Sequence, residues 1–479
     1  MTEGHATATA IAITSNLPNW ALLDEISVPL LETGVGTLPV LQAALPSILS
    51  ITQDDDNINE RYWKVLRIAQ LQIEHLLFLD ENEEISEILK PVDVKSDEQI
   101  TTGSPSKLKS KSDGVISQSV LIGYSNADKL TIFSSFTGSF GTTVILSSYG
   151  YLNRRVYCRL FDGNKQEIYQ KAVSVFPEFT IKCAESPSIK PEFVAVTINK
   201  KEVPENLKRI SMRKTNQKKS ELTVCLAPLF GESPKVLMLI EFFEYYKLQG
   251  VDSFLIYSFD ISNDTENLLE YYGKSSENIE VIRIGNETKC LNQHRCRHEM
   301  QLQDCVFRSQ NKAKWVATVD LDERIMPIDE KLTILDFIRT FDNSLISELR
   351  FRCQWTIRYA EISSGPPEID DLPMIKWHNT SHVAPQNHTT KSIIRPQNVD
   401  SMGVHGVQKF RNPKFVVQLV EPEDAVVRHY RLIKGWNFFL KEAESFGEFF
   451  EFTLSSGLSN SIVERVVKVI TKFPISTVK

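Results

Sequence analysis

Asp320 and Asp322, in the stretch WVATVDLDER, are the residues of this chain whose type and spacing best suit metal chemistry. From Trp315 to Val319 every residue is apolar or small except Thr318, so the run reads as a strand that crosses a core and stops at Asp320. Both carboxylates then emerge at the strand's carboxyl edge, and the two-residue period of a strand puts them on one side. Hard oxygen ligands spaced in this way can share one divalent cation, Mn²⁺ or Mg²⁺, and through it a diphosphate. Emptied of its cation, such a pair repels itself. An Asp-x-Asp also occurs in surface loops that do no chemistry, so its meaning depends on the elements that carry it.

Those elements alternate between strand and helix. TVCLAPLF is a short buried-strand run, and the helical PKVLMLIEFFEYYKLQG follows with Val236, Leu239, Ile240 and Phe243 on one face. DSFLIYSFD and IEVIRIG read as the second and third strands, with TENLLEYYGK a helix between them. The segment from Gln293 to Lys312 is a long helix, after which the fourth strand delivers the acids. Repeated βα units predict an α/β domain over 221–479, a mostly parallel sheet with helices on both faces and ligands at the carboxyl ends of its strands.

Upstream, KLTIFSSF, TTVILSSY, RRVYCRLFD and EFVAVTI predict a small strand-rich module over 115–220, closed by the basic connection RISMRKTNQKKSE. Residues 91–114 are rich in Ser, Lys and Thr and read as a flexible linker. Residues 1–90 are expected to be helical, since Tyr62, Val65, Leu66, Ala69, Ile73, Leu76 and Leu77 recur at helical spacing.

With 479 residues, 42% hydrophobic and 24% charged, the chain is neither fibrous nor wholly disordered. Its 54 Lys and Arg against 61 Asp and Glu give a net charge of −7, so no nucleic-acid partner is expected. The seven cysteines, too few for a disulfide scaffold, all lie between Cys158 and Cys353. Met1 to Asn19 lacks the basic start and apolar run of a signal peptide, and the uncharged Thr33–Gln53 is interrupted by Pro39 and Pro46, so no membrane helix is expected.

Two chemistries suit an Asp-x-Asp at the end of a βα series. In a phosphatase of the haloacid-dehalogenase type the first Asp is a nucleophile, but the motif normally continues into Thr or Val, and here Glu323 and Arg324 follow. In a GT-A nucleotide-sugar transferase a βα nucleotide-binding half leads into the metal motif, and the order of elements favours this arrangement. VCLAPLFGE, IEFFEYYKLQGVDSFLIY, KAKWVATVDLDER, KSIIRP with MGVHGV, and VRHYR, together with RRVYCRLFD and FPEFTIKC, resemble glycosyltransferase family 92 over about 115–445. RYWKVLRIAQLQIEHLLFLDE weakly resembles the N-terminal region of the DAZ-interacting zinc-finger proteins.

The family-92 resemblance implies a GT-A fold and an inverting, Mn²⁺-dependent transfer of galactose from UDP-galactose to fucose of N-glycan cores. It places Asp320 and Asp322 on the metal motif. GT-A enzymes commonly add a later histidine to the metal shell, for which His405, between Gly403 and Gly406, is favoured over His429. The resemblance lays the uridine against Pro228 and Leu229 at the end of the first strand and gives the ribose Asp260. Lys391 and Arg395 are the expected diphosphate cations, since a leaving UDP needs positive charge. For the base the residues leave Asp370, Asp371, Asp400, Glu421 and Glu423 open.

The resemblance also implies the Golgi or another secretory membrane or lumen, and a membrane anchor that is not seen in this sequence. In that setting Cys158 and Cys183 are expected to pair. Asn263, Asn286, Asn379 and Asn387 head glycosylation sequons. The expected partners are a UDP-sugar donor and a glycan or glycoprotein acceptor. Two alternatives stand beside the enzyme, a glycan or nucleotide-sugar binding module that kept the fold, and a ciliary or centrosomal protein acting through its N-terminal helices.

Overall fold

The computed structural model describes residues 130–473, apart from 139–140, 184–187, 212–218, 276–277, 286–294, 363–367 and 434–436. The chain divides between Lys111 and Ser112, and the described residues all belong to the second unit. The expected helical region 1–90, the linker 91–114 and the sequon at Asn286 lie outside them.

Short alternating runs build the first part. β1 (Ile132–Gly138), β2 (Gly141–Leu146), β3 (Arg155–Phe161), β4 (Glu167–Ser174), β5 (Thr180–Lys182), β6 (Phe193–Thr197) and β7 (Lys208–Arg209) form two sheets, ordered β1-β2-β5 and β4-β3-β6-β7. Val144, Leu146, Val156, Leu160, Val194 and Val196 share one core between them. Cys158 and Cys183 are bonded within it, both fully buried.

The βα series follows as β8 (Ser220–Gly231), α1 (Val236–Leu248), β9 (Ser253–Ile261), α2 (Asn263–Ser275), β10 (Ile279–Arg283), α3 (Cys296–Ser309) and β11 (Ala313–Val319). Beyond it come β12 (Glu323–Pro327), α4 (Ile334–Arg339), β13 (Ile346–Phe351), β14 (Cys353–Arg358), α5 (Pro373–Lys376), β15 (Asn379–Val383), β16 (Lys391–Ile394), β17 (Val399–Gly403), β18 (Gly406–Phe410), β19 (Val416–Leu419), β20 (Ala425–Leu432), α6 (Asn437–Glu444), β21 (Phe450–Glu451) and α7 (Ser456–Lys472).

One sheet has seven strands in the order β10-β9-β8-β11-β16-β13-β19, the other five in the order β12-β20-β14-β15-β21. In the larger sheet β10, β9, β8 and β11 run parallel, whereas β16 is antiparallel to both β11 and β13. Its two faces are both buried, and the residues alternate accordingly. Leu222, Val224, Leu226, Trp315, Ala317 and Val319 face one core with α1, while Cys225, Ala313 and Val316 face another with α3. This is the GT-A-like α/β architecture. The strand-rich part is not separate from it, because Phe136, Ile145 and Phe179 share the second core with Met300 and Cys305 of α3.

α1 departs from its expected one-sided pattern. Val236, Leu239, Ile240 and Phe243 are buried, and so are Glu241 and Glu244 on its other sides. Tertiary partners make this possible: Arg324 pairs with Glu241 at 2.9 Å, and Tyr272 of α2 donates to Glu244 at 3.1 Å. A second disulfide, Cys225–Cys305, ties β8 to α3, and Cys296 is disulfide-bonded as well. Among the described residues no helix is long and apolar enough to cross a membrane.

Candidate active site

β11 leaves the larger sheet at Val319, and β12 enters the smaller one at Glu323. Asp320, Leu321 and Asp322 therefore form a turn between sheets and do not extend a strand edge. The Glu323 amide closes the turn on the Asp320 carbonyl at 3.1 Å, and the Glu323 carboxylate accepts the Asp320 amide at 2.8 Å. Lys391, only 2% exposed, sits inside this turn with Nζ 3.2 Å from both Asp320 Oδ2 and Glu323 Oε2.

α1 holds the turn from behind. Tyr245 donates to the Ile325 carbonyl at 2.6 Å and Tyr246 to the Glu323 carbonyl at 3.1 Å. Arg324, fully buried, donates to the Leu321 carbonyl at 2.8 Å and to Glu241 Oε1 at 2.9 Å.

Three histidines surround the acids at different ranges. His429 on β20 places Nε2 3.3 Å from Asp322 Oδ2, and His298 on α3 places Nε2 3.9 Å from Asp320 Oδ1. His405 holds the Thr390 carbonyl through Nδ1 at 3.1 Å and lies within electrostatic range of Lys391 and Asp320. Burial opposes charge on His429, but the facing Asp322 wins and raises its pKa to about 10. Burial likewise works against the Asp322 carboxylate, which His429 nonetheless holds well below the ordinary range. Asp320 is lowered against its burial by Lys391 and His298, whereas burial and the neighbouring Asp320 raise Glu323. Burial brings His298 and His405 down to about 4, so both are neutral, the form that ligates metal.

The donor set suits a hard cation that is only partly held by protein. Asp320 Oδ1 is buried with no hydrogen-bond partner, as an oxygen awaiting a ligand would be. Among the described residues no group of three His, Cys, Asp or Glu converges into a complete cage. Two carboxylates with the remaining positions left to phosphate and water is the way Mg²⁺ and similar ions are bound beside nucleotides.

The expected nucleotide residues lie on the same sheet edge. Pro228 and Leu229 sit at a break in register near the carboxyl end of β8. Asp260, exposed at the end of β9, has φ +50°, a left-handed conformation that slips it out of the pairing with β8. Arg297 stacks 3.8 Å over the Phe259 ring beside it. Lys391 reaches the acids but is enclosed by them.

The structure does not bring Arg395 to this edge. β16 runs antiparallel to β11, so Ser392 pairs with Thr318, and Arg395 lies toward the opposite end, stacked 4.0 Å over Trp315. Arg308 on α3 is bound to Asp304 and Glu280 at 2.7 and 2.8 Å.

The sequence gives no signal for His298 or Arg358, and it shows Glu323 and Arg324 only as the residues that follow the acids, without their roles. Arg358, at the end of β14, donates from Nε to the Tyr430 carbonyl at 2.7 Å, and the Tyr430 amide donates to the Asp322 carbonyl at 2.8 Å. Of the acids left open as base, Asp371 is paired with Lys376, and Asp400 with Lys182 and Lys409. Glu421 and Glu423 precede Ala425, which pairs with Pro327 at the far end of β12 from the acidic turn. Among the described sequons Asn263 and Asn387 are exposed, whereas Asn379 donates to Tyr359.

The sequence model of glycosyltransferase family 92 matches residues 220–461, a little over half of the chain. The beta-1,4-galactosyltransferase galt-1 of Caenorhabditis elegans is 25% identical over 191 residues, 39% of this chain and 42% of that protein. The chain thus spans less than half the length of that relative. HddC from Yersinia pseudotuberculosis superposes with a TM-score of 0.26 at 14% identity, covering 47% of this chain and 100% of that one. Glucosyl-3-phosphoglycerate synthase from Mycobacterium tuberculosis, solved with Mn²⁺ and uridine diphosphate, gives 0.24 at 10% identity over 54% of this chain and 81% of that one. Overlaps this low say nothing of the chemistry here.

Proposed function

The chain belongs to glycosyltransferase family 92, and we propose that it transfers a hexose from a UDP-sugar to a glycan or glycoprotein acceptor with inversion. Galactose is the favoured sugar, since a relative that matches is named a galactosyltransferase, and the family resemblance makes fucose of an N-glycan core the favoured acceptor. The observation that carries this reading is the acidic turn. Asp320 and Asp322 sit beside the carboxyl ends of three neighbouring parallel strands, with one carboxylate oxygen buried and unbonded.

In this reading Asp320 and Asp322 hold Mn²⁺ or Mg²⁺, which when bound offsets the charge that collects on the leaving diphosphate. His405 remains the candidate for the adjoining nitrogen, because burial keeps it neutral, whereas Asp322 holds His429 in its cationic form. Pro228, Leu229 and Asp260 line the edge for uridine. Lys391 steadies the acids through Asp320 and Glu323, and Arg358 supplies the positive charge toward the diphosphate that Arg395 is placed too far away to give. The paired cysteines fit an oxidising secretory compartment.

The test is incubation of the full chain with a panel of UDP-sugars and Mn²⁺, scoring donor hydrolysis without an acceptor. Hydrolysis of one UDP-hexose that stops on chelation supports the enzyme. Donor binding without turnover supports the binding module instead.

A further inference from the structure

We propose that a pocket on the sheet edge opposite the acidic turn is a docking site for an anionic saccharide, a sugar carrying a sulfate, phosphate or carboxylate. This goes beyond the transfer reaction and does not depend on it. The pocket, about 400 Å³, lies where β8 and β11 begin and β16 ends, and it is lined by Lys219, Lys314, Ser344, Leu345, Arg395, Gln397, Asn398 and Phe415. Its size falls within the range of ligand pockets.

Three cations and no carboxylate line it, in a chain whose net charge is −7. Lys314 is paired with Glu221 at 2.6 Å, but neither Lys219 nor Arg395 has an acidic partner among the described residues. Arg395 is built in. Its plane stacks 4.0 Å over Trp315, and its Nε and Nη2 donate to the carbonyls of Ile346 and Phe341 at 2.9 and 3.4 Å. That fixes the guanidinium and leaves its other N–H groups for an oxyanion. Burial without a counter-charge holds its pKa below the ordinary guanidinium value.

The other lining residues select a sugar over a bare ion. Gln397 anchors its amide nitrogen on the Ala313 carbonyl at 3.0 Å, and Asn398 anchors its own on Ser347 Oγ at 2.8 Å. Each side-chain oxygen is left as an acceptor. Inorganic sulfate has no proton to give those acceptors and nothing to lay against Phe415 and the 43%-exposed Leu345. A pyranose offers hydroxyl donors and an apolar C–H face, and its ester group meets Arg395 and Lys219.

Calorimetric titration of the full chain with a monosulfated disaccharide, the same disaccharide without sulfate, and sodium sulfate tests this. The sulfated sugar should bind at least ~10-fold more tightly than either control, with affinity that falls as added salt screens the charge. Lys219→Glu, at an exposed position, and Arg395→Gln should each weaken it by at least ~10-fold, reflecting loss of the charged contacts. Should Arg395→Gln fail to fold, Lys219→Glu alone decides. Equal binding of sodium sulfate would overturn the sugar half of the proposal, and equal binding of the unsulfated disaccharide the anionic half. Unchanged affinity in Lys219→Glu would overturn the site.

Discussion

Replacing Glu241 with Ala should destabilise the protein far more than an ordinary helix substitution, because it strands a buried cation. Glu241 and Arg324 are both fully buried, 2.9 Å apart, and Glu241 Oε2 also accepts the Met374 amide at 3.0 Å. Burial raises the Glu241 carboxyl despite the pull of Arg324, so the intact pair is no net source of stability. Breaking it is different. An uncompensated buried charge costs about 3–5 kcal/mol, and the orphaned Met374 amide adds about 1–3 kcal/mol. For a unit of this size that is a fall in melting temperature of roughly 5–10 °C by calorimetry. The double substitution Glu241→Met with Arg324→Met removes both charges and should recover most of the loss. It should not recover donor hydrolysis, since Arg324 also holds the Leu321 carbonyl of the acidic turn at 2.8 Å. A single Glu241→Ala within about 1 kcal/mol of wild type would refute the reasoning, as it would mean that water reaches Arg324.

Asp322→Asn should cost at least ~10²-fold in UDP-sugar hydrolysis, and full hydrolysis with an unchanged Mn²⁺ titration would sink the assignment. Repulsion between two acids alone would make the same change stabilising in metal-free buffer; with His429 at 3.3 Å the opposite is expected, a lower melting temperature. In chelator, the stability lost in His429→Gln should be full below pH ~6.5, the ordinary histidine pKa, and vanish as pH rises through the folded value of about 10. Cys225 and Cys305 lie 80 residues apart, so Cys225→Ala with Cys305→Ala should cost up to about 4–5 kcal/mol by the chain-entropy estimate, read as a drop in melting temperature. In protein expressed in cells that glycosylate secretory proteins, Asn387→Gln should remove one endoglycosidase-sensitive step on a gel; an unchanged pattern would show that Asn387 carries no glycan.

What was legible in the sequence is what has a local period. The parallel half of the sheet was readable because Leu222, Val224 and Leu226 alternate with Cys225 between two cores. The acids were readable because the apolar run stops at them. Their turn was not, because nothing local says that β11 and β12 belong to different sheets. Lys391 and Arg395 look alike in the sequence, only four residues apart, but at about 3.3 Å per residue that spacing spans roughly 13 Å of strand and carries Arg395 away from the acids. His429 beside Asp322 depends on the pairing of β12 with β20 across a hundred residues, and the burial of Glu241 on Arg324; such contacts have no signature in either segment alone.

Val319 ends one sheet and Glu323 begins the other, so Asp320 and Asp322 straddle a seam. A ligand that draws Asp320 and Asp322 toward one point is then also a rivet between the seven-stranded and five-stranded layers. The traffic runs both ways. Whatever prises the layers apart at α1 also pulls the two carboxylates from each other, and whatever holds the carboxylates together tightens the layers.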